Sequence, residues 1–193
     1  MKYTDQELLN RVASHAKGFK GFPNGILDIW IRSDKDEFDV FDDKVYTFDC
    51  RSGEPVFIMV QTGTTNAGAV GLKHFSKYNA NGCAVLEGDR IVYDSHIFGM
   101  HKGKYPAFVE NPNAPFPYFR DSNKNEHAEE NGKLRTDNIG ANCHHAGIYS
   151  TRIGGWSVAC LVRNVLAQWN QWFFFMTKKA KVKTLTVAIL NEF

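Results

Sequence analysis

The residues able to do covalent chemistry concentrate between positions 142 and 164. The stretch "NCHHAGIYSTRIGGWSVACLVRN" carries adjacent histidines, His144 and His145, three glycines, and two of the four cysteines, Cys143 and Cys160. A cysteine that attacks a carbonyl needs a base to take its proton and donors to hold the oxyanion that forms. A histidine on one strand can face a cysteine at the end of the next. Twelve residues separate His144 from Ser157. They fit a strand, a glycine-rich connection bending at Gly154 and Gly155, and a return. Ser157-Val158-Ala159-Cys160 then sets the thiol just before a predicted helix. A helix N-terminus lowers a thiol pKa and offers free N–H groups to an oxyanion.

The same stretch contains zinc-ligand types: Cys143, His144, His145 and Cys160, with His101 upstream. Neighbours on a strand point to opposite faces, however, and no C-x-x-C or H-x-x-x-H spacing is present. Cys83 and Cys143 lie in strand-like runs and read as structural thiols, and nothing marks Cys50 as reactive. "DSNKNEHAEE" (121–130) alternates Asp121, Asn123 and Asn125 in the manner of a calcium loop. Glu126 stands where such a loop needs glycine, so a solvated polar loop is expected.

The elements that must position these residues are mostly strands. "YTDQELLNRVASHA" opens with a Thr4–Glu7 capping box and repeats Leu8, Leu9, Val12 and Ala16 at helical spacing. After the turn at "FPNG", "ILDIWIRS" alternates Leu27, Ile29 and Ile31 with Asp28, Trp30 and Arg32. "KVYTFDC", "PVFIMVQ", "GCAVLEGDRIVYD", "YPAFVE" and "YFRD" read the same way, and 122–138 reads as a polar surface loop. "LVRNVLAQWNQWFFFM" after Cys160 reads as a helix with Trp169 and Trp172 in the core, and "KTLTVAIL" as a last strand. No internal repeat or second domain is visible. The expectation is a mainly β, α+β domain spanning 1–193.

Formal net charge is +2, from 23 basic and 21 acidic residues among 193. That balance argues against a nucleic-acid partner, which would call for a basic excess. No apolar run is long enough to cross a bilayer, so no membrane association is expected. "MKYTDQELLN" lacks the apolar core of a signal peptide, which predicts synthesis in the cytoplasm.

His144, Gly147 and Ser157-x-x-Cys160 resemble the active-site signature of L,D-transpeptidase catalytic domains. The likeness is greater still to an endolysin-type branch found in phage and Bacteroidetes. It is carried by "GANCHHA" (140–146), "STR" (150–152) and "WSVACLV" (156–162), and by "IRSDKDEFDVFDDKVYTF" (31–48), "GMHKGKYPAFVE" (99–110) and "YFRDSNKN" (118–125). Two positions depart from the pattern. Ala159 stands where the family has glycine. Val162 stands where wall-crosslinking members have arginine, with Arg163 next to it.

The resemblance implies a mixed β-sheet sandwich or barrel with an N-terminal helix and a helix after the cysteine. It implies a cysteine peptidase of peptidoglycan stem peptides, with Cys160 as nucleophile, no metal and no organic cofactor. Ala159, Ser157, His145, Gly147, His101 and Arg163 are the candidate oxyanion or substrate-binding residues. The partner is the bacterial wall, reached through a separate membrane-permeabilising protein. Wall crosslinking, or a non-catalytic wall- or virion-binding β-domain, are the alternative activities. Only one of His144 and His145 can reach the thiol from a strand. The Asn142-x-His144 spacing of the endolysin-type branch favours His144, and a His145-x-Gly147 reading is its rival. A thiolate–imidazolium pair would make activity rise between about pH 5 and 7.

Overall fold

The computed structural model describes residues 2–193. Helix α1 (Asp5–His15) begins at the predicted capping box, with Thr4 and Glu7 each bonding the other's backbone N–H. Strands β1 (Ile26–Arg32), β2 (Asp43–Asp49) and β3 (Val56–Thr64) follow. A short helix α2 (Ala69–His74) precedes β4 (Cys83–Leu86), β5 (Arg90–His101), β6 (Tyr105–Glu110) and β7 (Tyr118–Asp121). Then come β8 (Cys143–His145), β9 (Leu161–Arg163), α3 (Leu166–Phe174), a π-helical turn (Phe175–Lys179) and β10 (Thr184–Asn191).

Eight strands close into a mixed barrel in the order β1-β10-β5-β6-β8-β9-β3-β2, and β4 pairs with β7 as a separate two-stranded sheet. The fold is thus mainly β with flanking helices, as the strand patterns predict. Strand β1 is buried along its whole length. Leu27, Ile29 and Ile31 pack against Leu8 and Val12 of α1 on the outer face. Trp30 and Asp28 turn into the barrel, where Trp30 joins Phe108, Leu161 and the α3 residues Trp169 and Trp172. The period-two alternation therefore separates two covered faces, not a wet face from a dry one.

One turn falls where the sequence puts it, and three local expectations are corrected. The run 82–94 divides at a turn at Gly88–Asp89, with Asp89 in the left-handed region, as two strands joined by that dipeptide require; β4 belongs to the small sheet and β5 to the barrel. The glycines flanking His101 suggest a position near a strand start, but β5 continues to His101, which therefore ends a strand. Residues 161–163 are strand β9, and the helix starts only at Leu166. Strands β8 and β9 run parallel, so 146–160 is a crossover and not a hairpin return.

That crossover is seated on α2, which has no clear sequence signature. The Asp39 carboxylate accepts the N–H groups of both Ala69 and Gly154. Gly68 donates to the Ser157 carbonyl at 3.1 Å. The two backbones come so close that a Cβ at Gly68 would lie 2.4 Å from the Gly154 oxygen. Any larger residue at 68 would push the Cys160 segment off its seat.

Candidate active site

The β8/β9 register decides which side chains meet. Cys143 lies opposite Leu161, His144 opposite Val162, and His145 opposite Arg163. Side chains alternate along each strand. His144 therefore shares a face with Val162 and with Cys160 two residues earlier. Cys143, His145 and Arg163 take the opposite face. The end of β5 brings in His101. One nitrogen from each of His101 and His144 and the Cys160 sulfur lie within 4.8 Å of one another. The two imidazole centroids are 4.0 Å apart.

The His144 tautomer follows from its partners. Its Nδ1 sits 2.9 Å from the His145 carbonyl oxygen, which can only accept, so Nδ1 carries the proton. The Tyr105 hydroxyl is 3.1 Å from the same nitrogen. Nε2 is left with a free lone pair, buried and without a hydrogen-bond partner among the described residues. The orientation of the ring is thus set by a third group, here a backbone carbonyl, the arrangement a nucleophile–base pair requires of its base.

Cys160 lies on the wall of a cleft of about 620 Å³ with His101, Lys102, Asn142, Trp156 and Ala159 among its lining residues. Part of the residue stays open to the cleft, while the atoms packed round its sulfur desolvate the thiolate and push the thiol up to about 11. The Asn142 backbone N–H and the Lys102 ammonium pull the other way but do not prevail. No helix N-terminus lies behind the sulfur, because β9 intervenes. The expected lowering of the thiol pKa is therefore overturned. Burial, reinforced by His101, holds His144 down to about 3. At neutral pH the two groups are a neutral thiol and a neutral imidazole.

The remaining candidates divide. Ala159 lines the cleft, and the N–H groups of Ala159 and Cys160 make no backbone hydrogen bond among the described residues. Ser157 does not face the cleft: it is fully buried and its hydroxyl donates to the Cys160 carbonyl at 2.9 Å, closing the turn. Gly147 stands beside Trp156 and does not line the cleft. His145, half-buried, turns its ring toward Tyr105 and Trp169.

Arg163 is a correction. It is fully buried inside the barrel, paired with the equally buried Asp28 and stacked 3.9 Å over the Trp172 ring. Its Nε donates to Gln61 and its NH1 contacts the Cys143 sulfur. It cannot meet a substrate. Cys143, with this neighbour and a thiol pushed up to about 12 by burial, is structural, as are Cys50 and Cys83.

Three residues placed at the site were missed by sequence reasoning. Glu110, at the end of β6, receives the N–H groups of Ile139, Gly140 and Ala141 on one carboxylate oxygen. It thereby fixes the backbone that passes the Cys160 sulfur at Gly140. Lys102 and Arg120 place positive charge on the cleft wall, and neither forms a salt bridge among the described residues. An acid ending an apolar strand was the one available hint for Glu110. The alternating Asp121–Asn125 segment satisfies itself, because both asparagine amides donate to Glu129.

Among the described residues, no helix is long and apolar enough to cross a membrane. Comparisons with family models, with curated proteins and with solved structures found no match to this chain.

Proposed function

We propose that the chain is a cysteine hydrolase of bacterial peptidoglycan, cutting stem peptides in the manner of an endolysin. One observation carries this reading: the Cys160 thiol, on the cleft wall, and a ring nitrogen of His144 lie within 4.8 Å of each other, with the imidazole oriented by the His145 carbonyl. The residues that resemble the L,D-transpeptidase signature are the ones that form this pair.

Cys160 Sγ attacks a peptide carbonyl carbon as its proton passes to His144 Nε2. The N–H groups of Ala159 and Cys160 meet the oxyanion. Collapse expels the amine, which takes the proton from His144, and leaves a thioester. Water, deprotonated by His144, then attacks the thioester and returns the thiol. An amine attacking in place of water would give a crosslink. Lys102 and Arg120 supply the charge that holds substrate carboxylates, the role Arg163 cannot fill. No step calls for a metal or an organic cofactor.

The test is mass spectrometry of muropeptides after incubation of purified sacculi with the protein and with its Cys160→Ala variant. New peptide termini made only by the unmodified protein support hydrolysis. New crosslinked dimers would make it a transpeptidase. Unchanged muropeptides with retained sacculus binding would make it a non-catalytic wall-binding domain.

A further inference from the structure

We infer that His101 is a catalytic hydrogen-bond donor, a neutral imidazole whose Nε2–H is held toward the oxyanion by the side chain of Asn142. The inference rests on the Cys160 mechanism but not on the identity of the substrate.

Two contacts fix the position of the His101 proton. The Glu110 backbone N–H lies 3.0 Å from Asn142 Oδ1. An N–H can bond only to an acceptor, so the amide orientation is settled: oxygen toward Glu110, Nδ2 the other way. That Nδ2 lies 3.1 Å from His101 Nδ1. An amide NH2 only donates, so His101 Nδ1 must accept and holds no proton. A neutral ring has one N–H, which is therefore on Nε2. Among the described residues Nε2 finds no hydrogen-bond partner, and unlike His144 Nε2 it is not sealed off from solvent. His101 lines the cleft beside Cys160. Its free N–H thus opens where a bound carbonyl oxygen would sit.

The two adjacent histidines consequently have opposite polarity. His144 has its proton on Nδ1 and a lone pair on Nε2, which suits a base. His101 has a lone pair on Nδ1, already used, and its proton on Nε2, which suits a donor. The difference comes from their partners, a carbonyl for one and an amide NH2 for the other. Burial, with Lys102 and His145 adding to it, holds His101 down to about 4, so the ring is neutral at working pH and no counterion is needed. The same tautomer opposes metal binding by the trio, because the open nitrogen of His101 presents a proton and not a lone pair. Asn142 is a positioning residue, since it acts only through His101.

The experiment separates oxyanion stabilisation from thiol activation. Acylation of Cys160 by p-nitrophenyl acetate passes through a tetrahedral oxyanion, whereas alkylation by iodoacetamide does not. The ratio of the two rates cancels changes in thiol reactivity. His101→Phe should lower that ratio by about 100- to 1000-fold, the usual effect of losing one oxyanion donor. Asn142→Asp, assayed well above the imidazolium range, offers only acceptors. It should move the His101 proton to Nδ1 and lower the ratio similarly with the ring intact. His101→Gln, which keeps an N–H, should recover part of it. Two-bond proton–nitrogen NMR of the unmodified protein, with the His101 signal assigned by difference from His101→Gln, should show the Nε2–H form. An Nδ1–H signal, or ratios unchanged in both His101→Phe and Asn142→Asp, would overturn the inference. Selective loss of acylation in a protein that leaves sacculi untouched would sustain it while removing the peptidoglycan reading.

Discussion

Replacing Arg163 by leucine separates a structural role from a substrate-binding one. The guanidinium and the Asp28 carboxylate are both fully buried, and among the described residues Asp28 has one other side-chain donor, the Thr47 hydroxyl at 2.6 Å. Arg163→Leu therefore leaves a carboxylate inside the barrel without its cation. It also strips a donor from Gln61 and a neighbour from Cys143. Breaking a buried pair in this way costs about 3–5 kcal/mol. For a domain of this size each kcal/mol lowers Tm by about 2–4 °C, so the expected drop is roughly 6–20 °C. Replacing both partners, Asp28→Leu with Arg163→Leu, removes the orphaned charge and should return most of the loss, because the pair sits among apolar rings. Differential scanning calorimetry of the four proteins in this cycle gives the coupling directly. An Arg163→Leu protein with unchanged Tm but weakened binding to sacculi would refute the reasoning and put the guanidinium back in the cleft.

His144→Ala should lower sacculus hydrolysis by about a hundred- to ten-thousand-fold, the usual cost of losing a general base, and His145→Ala far less. The reverse order would mean that the β8/β9 register is off by one. With the thiol at about 11 and His144 at about 3, the thiolate is about one part in ten thousand at neutral pH. Iodoacetamide labelling of Cys160 should then climb about tenfold per pH unit from 6 to 9; a plateau in that range would restore the thiolate–imidazolium pair. Hydrolysis that uses the neutral pair should be nearly level between about pH 5 and 8, replacing the rise that such an ion pair would give. Stability should fall as pH drops from 6.5 to 4. His96, fully buried and bonded to the Ala141 carbonyl, is held down to about 4, whereas in the unfolded chain it takes a proton below 6.5. The unfolded state binds more protons in that window, which removes about 3 kcal/mol. Urea titrations of the protein and His96→Gln across the window check this: equal slopes against pH would reject it.

Local chemistry was legible from the sequence because it depends on neighbours a few residues apart. The Thr4–Glu7 capping box, the start of β1 after "FPNG", the bounds of β6 and β7, and the polar 122–138 loop all follow from spacing and residue type. So does the association of Cys160 with a histidine strand, through its likeness to a known signature. Period-two alternation further required that His144 and His145 leave opposite faces.

What alternation cannot supply is which face points inward, and that depends on pairing between distant strands. The parallel β8/β9 register puts Arg163 inside the barrel opposite Asp28 of β1, 135 residues away, and leaves His144 on the Cys160 side. The thiol's electrostatics were likewise settled in three dimensions. Strand β9 displaces the expected helix, and burial then governs a sulfur that a helix N-terminus would have made acidic. His101, Asn142 and Glu110 meet only because β5, β6 and the segment before β8 converge there, and the protons on both imidazoles are dictated by those partners. A sequence names the groups able to hold a proton; the fold alone decides which nitrogen holds it, because a tautomer is set by the atom it faces.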